Sequence, residues 1–157
     1  MIPITPRHSA QSRLTFALLH LARVYRRLVD RRLSDHRISD ARALPVLHIA
    51  RAGSAMRQGA LAEAMGIEGP SLVRLLDQLG NAGLVERRPD PSDGRAKTLH
   101  ITDDGRALAG EVEEVLHILR DELFADVCEA DLAATLRVFA ALDTAIKRIA
   151  KPGGANA

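Results

Sequence analysis

The chain has few of the residues that build catalytic, redox and metal-binding sites. Cys128 is the only cysteine among 157 residues, which excludes an intrachain disulfide and a cysteine metal cluster, and we expect it to be buried or at a helix end. The six histidines include no pair at i and i+4, and the sequence has no glycine-rich phosphate loop and no nucleophile elbow. We therefore predict a protein that is not an enzyme and that binds no metal or cofactor.

Aromatic residues and long apolar runs are also scarce. Aromatic residues make up 3% of the chain, with no tryptophan and one tyrosine, so the core must be built from aliphatic side chains. A composition rich in leucine and alanine favours helices. No apolar run approaches the roughly 20 residues that cross a bilayer, and the first residues lack a signal-peptide core. The sequence predicts a cytoplasmic, mainly helical protein that does not associate with a membrane.

Residues 58–81 have the pattern of two short helices joined by a tight turn. The first helix is predicted to end at Gly66, because glycine favours the turn that follows, and Pro70 suits the first turn of the second helix. The apolar face of the first helix consists of Ala60, Leu61, Ala64 and Met65. The apolar stripe of the second consists of Leu72, Val73, Leu75, Leu76 and Leu79. The opposite face of the second helix consists of Ser71, Arg74, Asp77 and Gln78.

The polar face of the second helix has the character of a recognition surface for DNA. Residues near the start of such a helix reach base edges in a major groove. Arg74 can bridge O6 and N7 of guanine, a contact that discriminates between bases by roughly 1–3 kcal/mol. Ser71 suits a phosphate or a neighbouring base, and Gln78 is the third predicted DNA contact. Taken alone, Arg74 is equally well explained as a solvated arginine on an amphipathic helix.

Residues 84–102 have the pattern of a β-hairpin, with two short strands around a turn-rich tip at residues 89–94. Asp93-Gly94 between two extended segments is a strong hairpin signal, because glycine adopts a positive φ at no steric cost. This signal places Arg95 at or beside the tip, and an arginine on a slim tip fits a narrow, A·T-rich minor groove. The basic residues along the two strands suit phosphates, and they are Arg87, Arg88 and Lys97.

In order and spacing, these motifs resemble the MarR family of transcriptional regulators, and within it the SlyA-like branch. The resemblance lies in GIE-x-PSLVR-x-LDQL, GLV, Asp-x-x-Asp-x-Arg-Ala-Lys and Leu-x-Ile-Thr, which span about a third of the chain. It implies a repressor or activator that binds a palindromic operator in double-stranded DNA as a homodimer. It also implies that Arg74 reads bases and that Asp93 orients Arg95 into the minor groove. Gly94 departs from the family pattern, in which two consecutive arginines are common, and we expect lower affinity and weaker salt dependence as a result.

Long amphipathic helices are predicted on both sides of these motifs. The first runs from about Arg7 to Leu33, and its apolar stripe consists of Leu14, Leu18, Leu21, Tyr25 and Leu28. Another runs from its N-cap, Thr102, to about Val127, and its stripe consists of Leu108, Val112, Val115, Leu116, Leu119 and Leu123. A last helix is predicted from Leu132 to Ile149. Residues 39–53 predict one more helix, capped by Ser39, that is kinked at Pro45 or begins near Leu44.

The apolar faces of the flanking helices are most simply explained if they are buried against a second copy of the chain. Residues 1–40 contain eight basic and three acidic residues, and residues 107–157 contain five basic and nine acidic ones, so the two ends are suited to pack together. We predict a homodimer. Residues 1–38 and 107–157 form its helical dimerisation region, and residues 39–106 form a winged helix-turn-helix DNA-binding domain with a small β-hairpin wing.

Two alternatives to a DNA-binding regulator with a small-molecule effector are open. The family resemblance implies a small aromatic carboxylate as an effector, and the residues that could line its cleft are His20, Arg23, Tyr25 and His48. Each of them is also explained as an ordinary helix residue, and a regulator without an effector is one alternative. The other is a winged-helix module that binds a protein, although such a helix would more often expose apolar residues than Arg74 and Arg95.

Overall fold

The computed structural model describes residues 6–53 and 55–150, apart from the side chains of residues 40, 94 and 95. The described chain is mostly helical with a small antiparallel sheet, as predicted. Its helices are α1 (Pro6–Asp35), α2 (Asp40–Arg51), α3 (Gln58–Met65), α4 (Gly69–Asn81), α5 (Asp103–Phe124) and α6 (Glu129–Ala150). Its strands are β1 (Met56–Arg57), β2 (Val85–Asp90) and β3 (Asp93–Ile101). The chain forms two compact units, one that ends at Leu119 and one that begins at Arg120.

The sheet has one strand more than the sequence predicted. Its order is β1-β3-β2, and both pairings are antiparallel, so the long strand β3 lies in the centre. The additional strand β1 pairs Met56 with Leu99 and Arg57 with Thr98. Two residues are too few to show the alternation of side chains that identifies a strand in a sequence. The strand forms because β3 offers a free edge at this point.

The core of the first unit is aliphatic, as the scarcity of aromatic residues predicted. The elements α1 to α5 and the sheet all contribute to it. The largest fully buried apolar side chains include Leu33, Ile49, Leu61, Leu76, Leu79, Leu99 and Leu119. The predicted stripes are buried only in part, since Val73 on α4 is 53% exposed and Ala60 and Ala64 on α3 are exposed. In these short helices, the face that packs against the core is narrower than the stripe of apolar residues in the sequence.

The start of α2 corrects the sequence prediction. The helix begins at Asp40, and Ser39 holds the predicted N-cap position, but its side chain makes no capping hydrogen bond. Its carbonyl oxygen accepts hydrogen bonds from the amides of Arg42 and Ala43. Of the two predicted alternatives, the late start near Leu44 is wrong, and a kink at Pro45, which lies inside the helix, stays a prediction. A proline there removes one backbone hydrogen bond. The burial of the apolar side chains around it offsets that loss, since Ala43, Val46, Leu47 and Ile49 are all buried.

Thr102 caps α5, as predicted. Its Oγ1 accepts a hydrogen bond from the amide of Gly105 at 3.0 Å and donates one to the carbonyl oxygen of Gly83 at 2.7 Å. A threonine that satisfies an otherwise unpaired amide in the first turn stabilises a helix. The cap also ties the start of α5 to the loop that follows α4, which fixes where the sheet ends.

The chain after Leu119 departs from the prediction at its helix ends. Helix α5 ends at Phe124, before the predicted Val127, and α6 begins at Glu129 instead of Leu132. Cys128 is exposed and directly precedes α6, so it lies at a helix end and is not buried. Among the described helices, none is both long and apolar enough to cross a membrane.

Candidate nucleic-acid interface

A left-handed glycine joins the two helices of the predicted helix-turn-helix. Gly66 has φ 62° and ψ 35°, a conformation that glycine adopts without the steric penalty of a Cβ. The amides of Gly66 and Ile67 donate to the carbonyl oxygens of Glu63 and Ala62, which closes the end of α3. Pro70 lies in the first turn of α4, where its missing amide hydrogen costs nothing. The predicted turn and both of its helices are confirmed.

Helix α4 has one buried apolar face and one exposed face that carries polar side chains. Leu72, Leu76 and Leu79 are buried, and Leu75 is half-buried. Ser71, Arg74 and Gln78 are exposed and line one cleft of about 300 Å³ together with Pro70 and Leu75. The structure therefore brings three of the predicted DNA contacts together. Within the described part of the chain, the side chains of these three residues have no hydrogen-bond or ion-pair partner, so their polar groups are available to a ligand.

The arginines of β2 have acidic partners that the sequence analysis did not predict. Nη2 of Arg87 lies 2.6 Å from Oδ1 of Asp77 on α4. Nη2 of Arg88 lies 2.7 Å from Oε2 of Glu86 on its own strand. Lys97 on β3 is exposed. Both arginines lie along the hairpin as predicted, and each is paired with a carboxylate.

The turn of the hairpin lies inside the predicted tip, residues 89–94, but before its Asp-Gly pair. Asp90 pairs with Asp93, so that the connection consists of Pro91 and Ser92. Asp93 and Gly94 belong to β3, and a turn at Asp93-Gly94 is therefore wrong. The reason is a side-chain turn, because Oδ1 of Asp90 accepts hydrogen bonds from the amide and from Oγ of Ser92, at 2.8 and 2.7 Å. The side chains of residues 94 and 95 lie outside the described ones, and the orientation of Arg95 by Asp93 stays a prediction.

Arg57 on β1 donates hydrogen bonds to both polar side chains of this turn. Its Nε donates to Oδ2 of Asp90 at 2.8 Å, and its Nη2 donates to Oγ of Ser92 at 3.2 Å. The hydrogen bonds from Ser92, and then the charge of Arg57, hold the pKa of the Asp90 carboxyl below its usual range. Arg57 was not among the predicted site residues. No local pattern identifies it, because its partner lies 33 residues further along the chain.

A second cleft lies beside the predicted DNA contacts. It measures about 540 Å³ and runs between the start of α2 and the end of α4. Its lining consists of Ser39, Ala41, Arg42, Gln78, Asn81 and Ala82. Of these residues, only Gln78 was a predicted DNA contact. The cleft depends on two helices that are distant in sequence, so their spacing along the chain gives no signal of it.

The four candidate ligand residues are divided between two helices. His20, Arg23 and Tyr25 are exposed on α1, and His48 is half-buried on α2. A third cleft, of about 390 Å³, lies on α1 near Arg31 and His36. None of the four candidate ligand residues lines this cleft or either of the two clefts described above. Burial, and then the charge of Arg51, lower the pKa of His48 below its usual value. The contact of these residues with a carboxylate stays a prediction.

Comparison with known proteins identifies the family. Residues 38–96 match a family model described as MarR family. The transcriptional regulator PA3341, whose crystal structure is known, has 32% sequence identity to this chain. The match covers 86% of this chain and 98% of PA3341, and the two structures superpose with a TM-score of 0.78. The chain belongs to the MarR family. Regulators of this family bind DNA and act as dimers.

Other MarR-family structures agree with this fold. Wild-type MarR from E. coli, in its apo form, is 25% identical over 80% of this chain and 94% of its own, with a TM-score of 0.62. The transcriptional regulator BldR from Sulfolobus solfataricus is 22% identical over 92% of this chain and 99% of its own, with a TM-score of 0.73, and supports the fold alone. The matched segment 38–96 contains α2, α3, α4, β2 and the turn of the hairpin, which are the elements that carry the candidate interface.

Proposed function

We propose that this MarR-family protein is a sequence-specific, homodimeric transcriptional regulator of the SlyA-like branch. Helix α4 enters the major groove of a palindromic operator, and the β2–β3 hairpin, the wing, enters the adjacent minor groove. The exposed face of α4 is the main support for this proposal. There, Ser71, Arg74 and Gln78 converge on one cleft with their polar groups available, as base and phosphate contacts require.

The wing supplies the second part of the proposed interface. Lys97 is exposed and can neutralise a phosphate. Arg87 and Arg88 on β2 can each do so once the paired carboxylate gives way. In this proposal Asp93 orients Arg95 into the minor groove. Residues 39–106 then form the DNA-binding domain.

Dimerisation through residues 1–38 and 107–157 is supported by apolar surface in both units. In the first unit, α1 exposes Phe16, Leu19 and Leu21. In the second, α6 exposes Leu136, Ile146 and Ile149. Large exposed apolar side chains on long helices mark interaction surfaces, and a second copy is the simplest partner. If the two-fold axis of such a dimer sets the recognition helices about 34 Å apart, the half-sites lie one DNA turn apart.

A small aromatic carboxylate is the proposed effector that releases the operator. His20, Arg23, Tyr25 and His48 would supply cationic, hydrogen-bonding and apolar contacts to it. Titration calorimetry with salicylate checks this part separately. The absence of binding heat would favour the alternative, a regulator without an effector.

A second candidate function is a winged helix that binds a protein partner. The exposed Val73 favours it, because it adds an apolar side chain to the outer surface of α4. The same valine also suits a thymine methyl group in a major groove. The free Arg74 beside it is better suited to guanine than to a partner protein, which places DNA binding first.

Selection of bound sequences from a random DNA library at near-physiological salt tests the proposed function. The wild type is compared with Arg74→Ala and with Arg137→Ala, which removes the same charge from an exposed position on α6. We expect a palindrome with half-sites about one turn apart, which is blurred by Arg74→Ala and retained by Arg137→Ala. No enrichment by the wild type would contradict sequence-specific binding. Light scattering that gives the mass of a single chain would contradict the dimer.

A further inference from the structure

We propose that Arg57 is a positioning residue that fixes the tip of the wing and thereby sets how much the wing adds to DNA binding. The residue lies at the end of β1, directly before the first residue of α3. The inference rests on the proposed function for its effect on DNA. The contact of Arg57 with Asp90 and Ser92 belongs to the free protein and can be measured without DNA.

The Arg57 side chain crosses the sheet to reach the wing tip. Strand β3 lies between β1 and β2, and Thr98 on β3 pairs with Arg57 on one side and with Arg88 on the other. Residues paired across a sheet project from the same face. Arg57 therefore extends over the central strand to Asp90, at the far end of β2. One side chain thus bridges all three strands.

The contact is a fork that holds both sides of the turn. One nitrogen of the guanidinium binds the Asp90 carboxylate, and another binds the hydroxyl of Ser92. Ser92 in turn donates twice to Oδ1 of Asp90, so that the three side chains form a closed network. Arginine is suited to this role because its planar donors have a fixed spacing, which lysine lacks.

Burial of Asp90 makes the network sensitive to the loss of a partner. The residue is 7% exposed, although it lies near the tip of a hairpin. A carboxylate withdrawn from water needs charged or hydrogen-bonding partners, and Arg57 supplies the cationic one. Without Arg57, Asp90 retains only the donors of Ser92, which lie on the same short turn. The tip then loses its tether to β1 and to the helix-turn-helix that follows it.

Hydrogen exchange on the free protein tests the tether. We expect Arg57→Ala to accelerate exchange of the wing-tip amides by about threefold to tenfold, the range of a partly exposed ion pair with a buried partner. Arg57→Lys should accelerate it nearly as much, because lysine keeps the charge and loses the fork. Arg88→Ala is the matched control, since Arg88 has the same side-chain exposure, 59%, and pairs with Glu86 on its own strand instead of with the turn. It should leave the tip unchanged.

DNA affinity then separates positioning from a direct phosphate contact. We expect Arg57→Ala to weaken binding to the selected operator by about threefold to tenfold and to reduce the preference for A·T-rich flanks. In an Asp90→Ala background, the same substitution should have no further effect, because the tether is already absent. A direct phosphate contact instead predicts an equal loss in both backgrounds and full rescue by Arg57→Lys.

Unchanged tip exchange in Arg57→Ala, or an equal loss of affinity in both backgrounds, overturns the inference. These outcomes differ from failure of the proposed function. If the wild type selects no DNA sequence, DNA binding fails for every variant, and a positioning role for Arg57 in it fails as well.

Discussion

Arg87 on β2 and Asp77 on α4 join the wing to the helix proposed to enter the major groove, with 2.6 Å between Nη2 and Oδ1. Asp77 lies three residues after Arg74, which places its carboxylate on the same side of α4. The pair therefore brings a negative charge to the surface that we propose faces DNA. It also withholds one arginine from the phosphates.

We expect Asp77→Asn to increase affinity for non-operator DNA. The substitution removes a charge that repels phosphates and releases Arg87, so log affinity should fall more steeply with log salt concentration, by about 0.9 for one added phosphate contact. Fluorescence anisotropy with a random duplex at several salt concentrations measures both quantities. Glu111→Gln, which removes an exposed carboxylate from α5, is the control. An unchanged salt slope in Asp77→Asn would show that the loss of Asp77 adds no phosphate contact by Arg87.

Substitution of Arg74 should separate base reading from general attraction to DNA. We expect Arg74→Ala to weaken operator binding by about 1–3 kcal/mol and to relax preference at one base position of each half-site. Arg74→Lys should keep most of the non-specific affinity and lose the discrimination, because lysine cannot form the two-pronged contact with guanine. Competition binding against single-base operator variants gives the comparison. A uniform loss over all variants would reassign Arg74 to a phosphate.

The helix-turn-helix was predictable from the sequence because its determinants are local. Gly66 and Pro70 mark a helix end and a helix start through their own backbone preferences. Leu72, Leu76 and Leu79 recur at the spacing that buries one face of a helix, and all three are buried. The cap at Thr102 is equally local, since it satisfies an amide three residues away.

The parts that were missed depend on contacts between distant segments. Strand β1 exists only because β3 pairs with it, and the start of α2 depends on the burial of the residues around Pro45. The wing turn was predicted at Asp93-Gly94, whereas Asp90 and Ser92 place it two residues earlier. Arg57 binds Asp90, which lies 33 residues further along the chain, so no local sequence pattern predicts this contact.

Two glycines of α5 should respond to alanine with opposite signs. A Cβ on Gly105 would overlap the carbonyl oxygen of Leu84 and lie 2.9 Å from Cγ1 of Ile101, whereas a Cβ on Gly110 would meet nothing within 4 Å. We expect Gly105→Ala to lower the free energy of unfolding by about 1–3 kcal/mol, because the overlap displaces backbone. Gly110→Ala should raise it by roughly 0.5–1 kcal/mol through helix propensity.

Urea unfolding at one protein concentration measures both glycine variants. The pair controls for the gain in helix propensity, since both substitutions are glycine to alanine in one helix. A stabilised Gly105→Ala would show that α5 does not pack closely against Leu84.

His48 should make the stability of the fold depend on pH. Burial, and then the charge of Arg51, lower the pKa of its imidazole in the folded state, so the unfolded chain binds the proton more readily. The contribution is therefore fully present above the unfolded pKa, about 6.5, and is lost as pH falls from there through the lower folded pKa. We expect the urea midpoint to decrease between pH 7.5 and 5.5. His48→Gln should remove part of that decrease, because glutamine does not titrate in this range.

Arg51→Gln distinguishes the two causes of the His48 shift. Since burial is the larger cause, loss of the Arg51 charge should reduce the pH dependence without abolishing it. Arg51 also pairs with Glu113 on α5, so this variant is compared with Glu113→Gln, which breaks the same pair and retains the charge beside His48. All midpoints are measured at one protein concentration, because association of chains raises apparent stability. An equal pH dependence in the wild type and His48→Gln would show that the protonation of His48 is not linked to folding.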